Sequence, residues 1–95
     1  MLDLVWSPEA LADTLDIAGH YLSIDPAIAV AMLDHVEDAP VILCEFPHLG
    51  SPTRLPGVRK WRVDGTPYIL LYAVAPSTVD IRRVVHTASD WHSLL

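Results

Sequence analysis

The sequence predicts one small α+β domain: a short first strand, an antiparallel pair of helices, then a three-stranded antiparallel meander forming one sheet. Three observations predict it. Two helix-start signals stand early in the chain, Ser7-Pro8-Glu9 and Asp25-Pro26. A loop punctuated by proline and glycine runs from Phe46 to Gly57. Beyond it, three strand-like runs are separated by turn residues. The 95 residues suffice for one domain and not for two.

Taken in order, Leu2, Leu4 and Trp6 alternate with Asp3 and Val5, the period of a strand. In Ser7-Pro8-Glu9 the serine caps a helix, the proline takes its first position, and the acid favours its positive end. Leu11, Leu15, Ala18 and Leu22 recur at helical spacing and predict the buried stripe, with Asp13, Asp16 and His20 facing elsewhere. Asp25-Pro26 opens a second helix that packs Ile28 or Ala29, Met32 or Leu33, and Val36 inward. Pro40 cannot donate to the helix ladder, so the helix ends near Ala39 or kinks there, and Val41 to Glu45 form a further turn. The short connection makes the two helices a hairpin.

The three later runs are Val58–Val63, Tyr68–Ala75 and Thr78–His86, joined by Asp64-Gly65-Thr66-Pro67 and Pro76-Ser77. Period-two alternation puts Lys60 and Arg62 on one face of the first, with Arg59, Trp61 and Val63 on the other. In the second, Tyr68, Leu70 and Tyr72 oppose Ile69, Leu71 and Ala73. In the third, Val79, Ile81, Arg83 and Val85 oppose Asp80, Arg82, Val84 and His86. The tyrosines, Trp6 and Trp61 read as core.

Composition narrows the function. Apolar residues make up 52% of the chain, more than a domain this small readily hides, which points to cover by a partner. An apolar-rich monomer is the other reading. The single cysteine, Cys44, follows Val41, Ile42 and Leu43 and reads as a buried thiol; it excludes an internal disulfide. The five histidines show no paired helical spacing, so neither a metal nor a cofactor is expected. The longest apolar run, Tyr68 to Ala75, is too short to span a bilayer, and the expected location is the cytoplasm. Net charge is −6, against a plain nucleic-acid binder. Its distribution is uneven: residues 1–53 hold nine acids and no Lys or Arg, and residues 54–95 hold all six bases against three acids. That predicts one basic surface on an acidic protein.

Four segments, in order, carry a family resemblance. They are WSPEALAD (Trp6–Asp13), EFPHLGSPTRLPGVR (Glu45–Arg59), TPYILLYAV (Thr66–Val74) and VDIRRVVHTASDW (Val79–Trp91). Together they resemble the RelE/ParE toxin superfamily of type II toxin–antitoxin systems, and are closer to its ParE-like members. The resemblance implies a toxin neutralised by a cognate antitoxin that wraps it as helix or added strand. It also implies one of two targets. ParE-like members poison DNA gyrase without chemistry; RelE-like members cut messenger RNA on the ribosome with basic residues of the open sheet face.

For a nuclease the candidate residues are Lys60, Arg62, Arg82 and His86, a phosphate patch with a possible base. For contact with target or antitoxin they are Arg59, Lys60, Arg62, Ile69, Leu71, Arg82, Arg83 and Trp91. Two departures weigh against cleavage. Ile69 stands where RelE-like enzymes usually carry arginine, and the tail Thr87-Ala88-Ser89 lacks their basic residue. Losing one group that stabilises transition-state charge costs about 2.7–4 kcal/mol, a factor of hundreds in rate. Trp91 reads as an anchor of the chain end or as a partner contact. An inactive toxin fold kept as an antitoxin-binding module is a third reading.

Overall fold

A computed structural model of the chain describes residues 1–94, position 94 by its backbone alone. Strand β1 (Asp3–Trp6) leads into helix α1 (Pro8–Leu22), helix α2 (Pro26–Asp38) and a 3₁₀ turn at Val41–Cys44. Strands β2 (Ser51–Pro52), β3 (Val58–Arg62), β4 (Tyr68–Val74) and β5 (Thr78–His86) follow, then a 3₁₀ turn at Trp91–Leu94. The sheet order is β1-β5-β4-β3-β2. β1 pairs parallel to β5 and the other neighbours are antiparallel.

The two helix starts form as their residues dictate. Ser7 Oγ accepts from Ala10 N at 3.0 Å and donates to the carbonyl of Arg82 at 2.8 Å, so the cap also ties α1 to β5. Asp25 accepts from Ala27 N at 2.9 Å. Helix α2 ends at Asp38, with Ala39 as its C-cap ahead of Pro40. Asp64-Gly65 turns β3 into β4, with Gly65 at a φ of 78°, where a side chain would be strained.

Four expectations need correction. The sheet has five strands, not four, because Ser51–Pro52 pairs with Arg59 and Lys60 inside the expected loop. Helix α1 buries Ala10 and Ile17, not the leucine stripe; Leu11, Leu15 and Leu22 are exposed. Helix α1 is thus rotated by roughly one residue, 100° on the wheel. Asp13, expected to face away, therefore turns toward the sheet, its side chain 13% exposed.

The last correction concerns β5. Leu71 pairs with Arg83 while Tyr72 pairs with Ile81, so Arg82 has no partner and forms a bulge. An inserted residue reverses the alternation beyond it. Val84 and His86 thereby join Val79 and Ile81 on the helix side, and Arg83 and Val85 take the open side.

Strand β4 lies in the middle of the sheet and is buried on both faces, which explains its unbroken apolar run. Tyr72, Leu70 and Tyr68 point into the main core beneath the helices, with Val36, Leu43 and Ile81. Ile69 and Leu71 belong to a second, smaller cluster on the opposite face. Burial, with donation of its proton toward Tyr21 as a lesser cause, pushes the Tyr68 hydroxyl from 10.0 up to about 12. Burial also raises Tyr72. The unfolded chain releases these protons near pH 10 while the fold retains them, so folding stability should fall as pH rises from 10 toward 12. Urea denaturation across that range measures the slope, and Tyr68→Phe should flatten it.

Candidate functional site

The face of the sheet opposite the helices is built from rows across three strands. Arg62 pairs with Ile69, and Ile69 with Val85; Lys60 pairs with Leu71, and Leu71 with Arg83. The exposed ammonium of Lys60 and guanidinium of Arg62 thus stand at the β3 side of an apolar strip. The described residues offer neither an ion-pair partner.

That strip is covered. Trp91 comes back over the sheet and seats against Val58, Ile69, Leu71 and Val85, leaving 6% of itself exposed. Lys60 Nζ lies 5.9 Å from the centre of its ring, within cation–π reach. Leu55, from the loop before β3, closes the other side. Ile69 and Leu71 are consequently buried at 8% and 0% exposure. In this arrangement Leu71 is floor beneath the tail, while Ile69 also borders a recess beside Lys60 and Arg62.

The remaining candidates go elsewhere. Arg59 turns toward the loop after the helices, where Nη1 donates to the carbonyls of Gly50 at 2.7 Å and His48 at 3.4 Å. Tyr72 pins the same loop: its hydroxyl donates to Pro47 O at 2.7 Å and accepts from Gly50 N at 2.9 Å. The loop segment of the sequence signature therefore encodes a shape.

Arg83 Nε and Nη2 hold the Asp13 carboxylate at 2.8 and 3.0 Å, and the same carboxylate accepts from Val84 N at 2.9 Å. Strand β1 ends opposite Ile81, which leaves the rest of β5 without a neighbour on that edge. Asp13 supplies the missing acceptor. The hydrogen bonding of Arg83 to the Asp13 carboxylate is the main cause holding its guanidinium above its ordinary pKa.

His86 lies across the sheet from Lys60 and Arg62, edge-on to Tyr68 with ring centres 5.6 Å apart. Its Nδ1 accepts from Ala88 N at 3.0 Å. Arg82 sits in the bulge, exposed beside a recess of about 580 Å³ that Val5, Leu55 and Asp80 also line. Lys60, Arg62, Arg82 and His86 thus do not converge on one point. Among the described residues no cluster of His, Cys, Asp or Glu is arranged to hold a metal, and no helix is long and apolar enough to cross a membrane.

Sequence reasoning missed Asp13. The signal was present, since Ala10, Asp13, Ile17 and Tyr21 also follow helical spacing, but the leucine stripe is the stronger apolar pattern.

This arrangement is that of a toxin fold. The family described as "ParE toxin of type II toxin-antitoxin system, parDE" matches residues 4–91. The chain belongs to this family and is a ParE-family toxin of a type II toxin–antitoxin system. Among solved structures it is similar to the chromosomal ParDE toxin–antitoxin system from P. aeruginosa. The match has a TM-score of 0.82 and 25% identity, covering 90% of this chain and 96% of that one. A fold likeness extends to the DinJ-YafQ complex of E. coli, with a TM-score of 0.52 and 15% identity over 93% of this chain and 96% of that one. Comparison with curated proteins gives no significant match.

Proposed function

We propose that this chain inhibits DNA gyrase by surface contact, without chemistry of its own, and is held in check by a cognate antitoxin. The observation that carries the reading is the fate of the cations. A ribosome-dependent nuclease needs several of them converging on one phosphate together with a base. Here Arg83 is engaged by Asp13, Arg59 by two loop carbonyls, and Ile69 occupies the central-strand position where cleaving relatives carry arginine. His86 lies on the other side of the sheet. Membership of the ParE family points the same way. The exposed Leu15, Ile24, Val30, Val41 and Phe46 support a protein partner, since an isolated domain gains nothing by leaving them in water.

The runner-up, cleavage of ribosome-bound messenger RNA, rests on Lys60 and Arg62, which share the open face beside a recess of about 340 Å³. Expression in a bacterial host separates the two: gyrase poisoning brings DNA damage and filamentation, whereas messenger cleavage halts translation. The double variant Lys60→Ala/Arg62→Ala is expected to remain toxic, its potency reduced no more than about thirtyfold, because exposed charges contribute about 1 kcal/mol or less apiece. A loss of several hundredfold, read as growth inhibition against toxin level, would move the assignment to the nuclease. Full-length protein that folds and inhibits neither process would leave an antitoxin-binding module.

A further inference from the structure

The recess beside Lys60 and Arg62 carries donors and no acid. Ser51, Lys60, Arg62 and Thr87 line it, together with the apolar side chains of Leu49 and Ile69. Lys60 and Arg62 stand two residues apart on one face of β3, about 7 Å along the strand, and both are exposed. Among the described residues neither has a carboxylate within ion-pair distance. The hydroxyls of Ser51 and Thr87, also exposed, add two further donors. Other recesses differ in charge: the one at the β5 bulge includes Glu9 and Asp80, and the one beside His35 includes Asp38 and Asp64.

We propose that this recess seats backbone phosphates of the DNA carried by gyrase, an inference that rests on the gyrase reading. Lysine, arginine and small hydroxyls are the groups that hold phosphate oxygens without reading sequence. Both cations are exposed, so a strand can run past them along β3. The net charge of −6 repels free DNA, so the contact forms where another protein already holds the strand. The rim has no base, since His86 lies on the helix side of the sheet. A strand seated there is held and not cut.

The test titrates the full-length toxin into gyrase and supercoiled DNA at several salt concentrations and reads the cleaved DNA that is trapped. Binding that neutralises Z phosphates weakens with salt at a log–log slope of about −0.9Z. Lys60→Ala/Arg62→Ala should flatten that slope by about 2 relative to the wild type, and each single variant by about 1. The shortfall in potency of the double variant should therefore shrink about tenfold between roughly 50 and 200 mM salt. Arg54→Ala removes the same charge at an exposed position beside Trp91 and His92, outside the recess, and should leave the slope unchanged. Parallel slopes for the wild type and the double variant would overturn the inference while leaving gyrase inhibition standing. No trapped DNA at any salt would remove the gyrase reading and this inference with it. A photoreactive residue, Ser51→p-benzoylphenylalanine, supplies the second arm. Irradiated in growing cells, it should yield adducts that DNase trims. Adducts trimmed only by RNase, or adducts to protein alone, would overturn the proposal.

Discussion

Gly50→Ala is expected to be among the most destabilising single substitutions in this protein. A Cβ at that position would overlap the Tyr72 hydroxyl, lie 2.6 Å from Tyr72 Cε1 and 2.7 Å from the carbonyl of Lys60. Relief by moving backbone breaks the pairing of β2 with β3; relief by moving Tyr72 disturbs a side chain with no exposed surface. Either route also endangers two hydrogen bonds, from Gly50 N to the hydroxyl and from the hydroxyl to Pro47 O. Overpacking of this kind costs about 1–3 kcal/mol, and a loosened buried hydrogen bond about 1 kcal/mol more. The midpoint of thermal unfolding should fall by roughly 10–20 °C for a domain of this size. An unchanged midpoint would mean that the loop is not held as described. Arg59, which donates to the Gly50 carbonyl, should lose its grip in the same variant.

Asp13→Ala is the second large effect. One carboxylate serves Arg83 through two hydrogen bonds and the Val84 amide through a third. Removing it leaves a strand N–H at a nearly buried residue without an acceptor, along with a guanidinium only 27% exposed. An unsatisfied group of this kind costs about 1–3 kcal/mol, and the lost ion pair adds less because Arg83 can still reach water. We expect a loss of about 2–3 kcal/mol in chemical denaturation, with faster amide exchange concentrated at Val84 and its neighbours. Arg83→Ala should cost clearly less, since Asp13 then keeps its bond to Val84 N. If the two variants proved equal, the role of Asp13 in closing the edge of β5 would be wrong.

The parts of the fold legible in the sequence are those fixed locally. Ser7 and Asp25 cap helices with bonds to residues two or three positions on, and Pro40 ends α2 wherever the rest of the chain lies. The alternation in β3 and β4 placed Lys60, Arg62, Ile69 and Leu71 on one side, because neither strand is interrupted between these residues. What was not legible depends on partners distant in sequence. Nothing within Thr78–His86 announces the bulge at Arg82; it appears only in the pairing with Leu71 and Tyr72. The true register of α1 is set by Asp13 reaching Arg83 and Val84, 70 and 71 residues away. β2 is invisible for the same reason, being two residues whose pairing depends on a loop held by Arg59 and Tyr72.

The candidate surface divides along the same line. The basic half of the chain does lie in the sheet, but side-chain geometry disperses the charge: Arg59 to the loop, Arg83 to Asp13, Arg82 to the bulge. Counting cations in a sequence cannot reveal which are already paired. For Trp91 the sequence left two readings, anchor of the chain end or partner contact, and the structure seats it against the sheet.

The most direct test of a contact toxin is gyrase supercoiling with purified protein, run with and without its antitoxin. The account predicts inhibition that traps cleaved DNA, persists in the Lys60→Ala/Arg62→Ala variant, and is relieved by antitoxin. Undisturbed supercoiling at high concentrations of folded protein would contradict it.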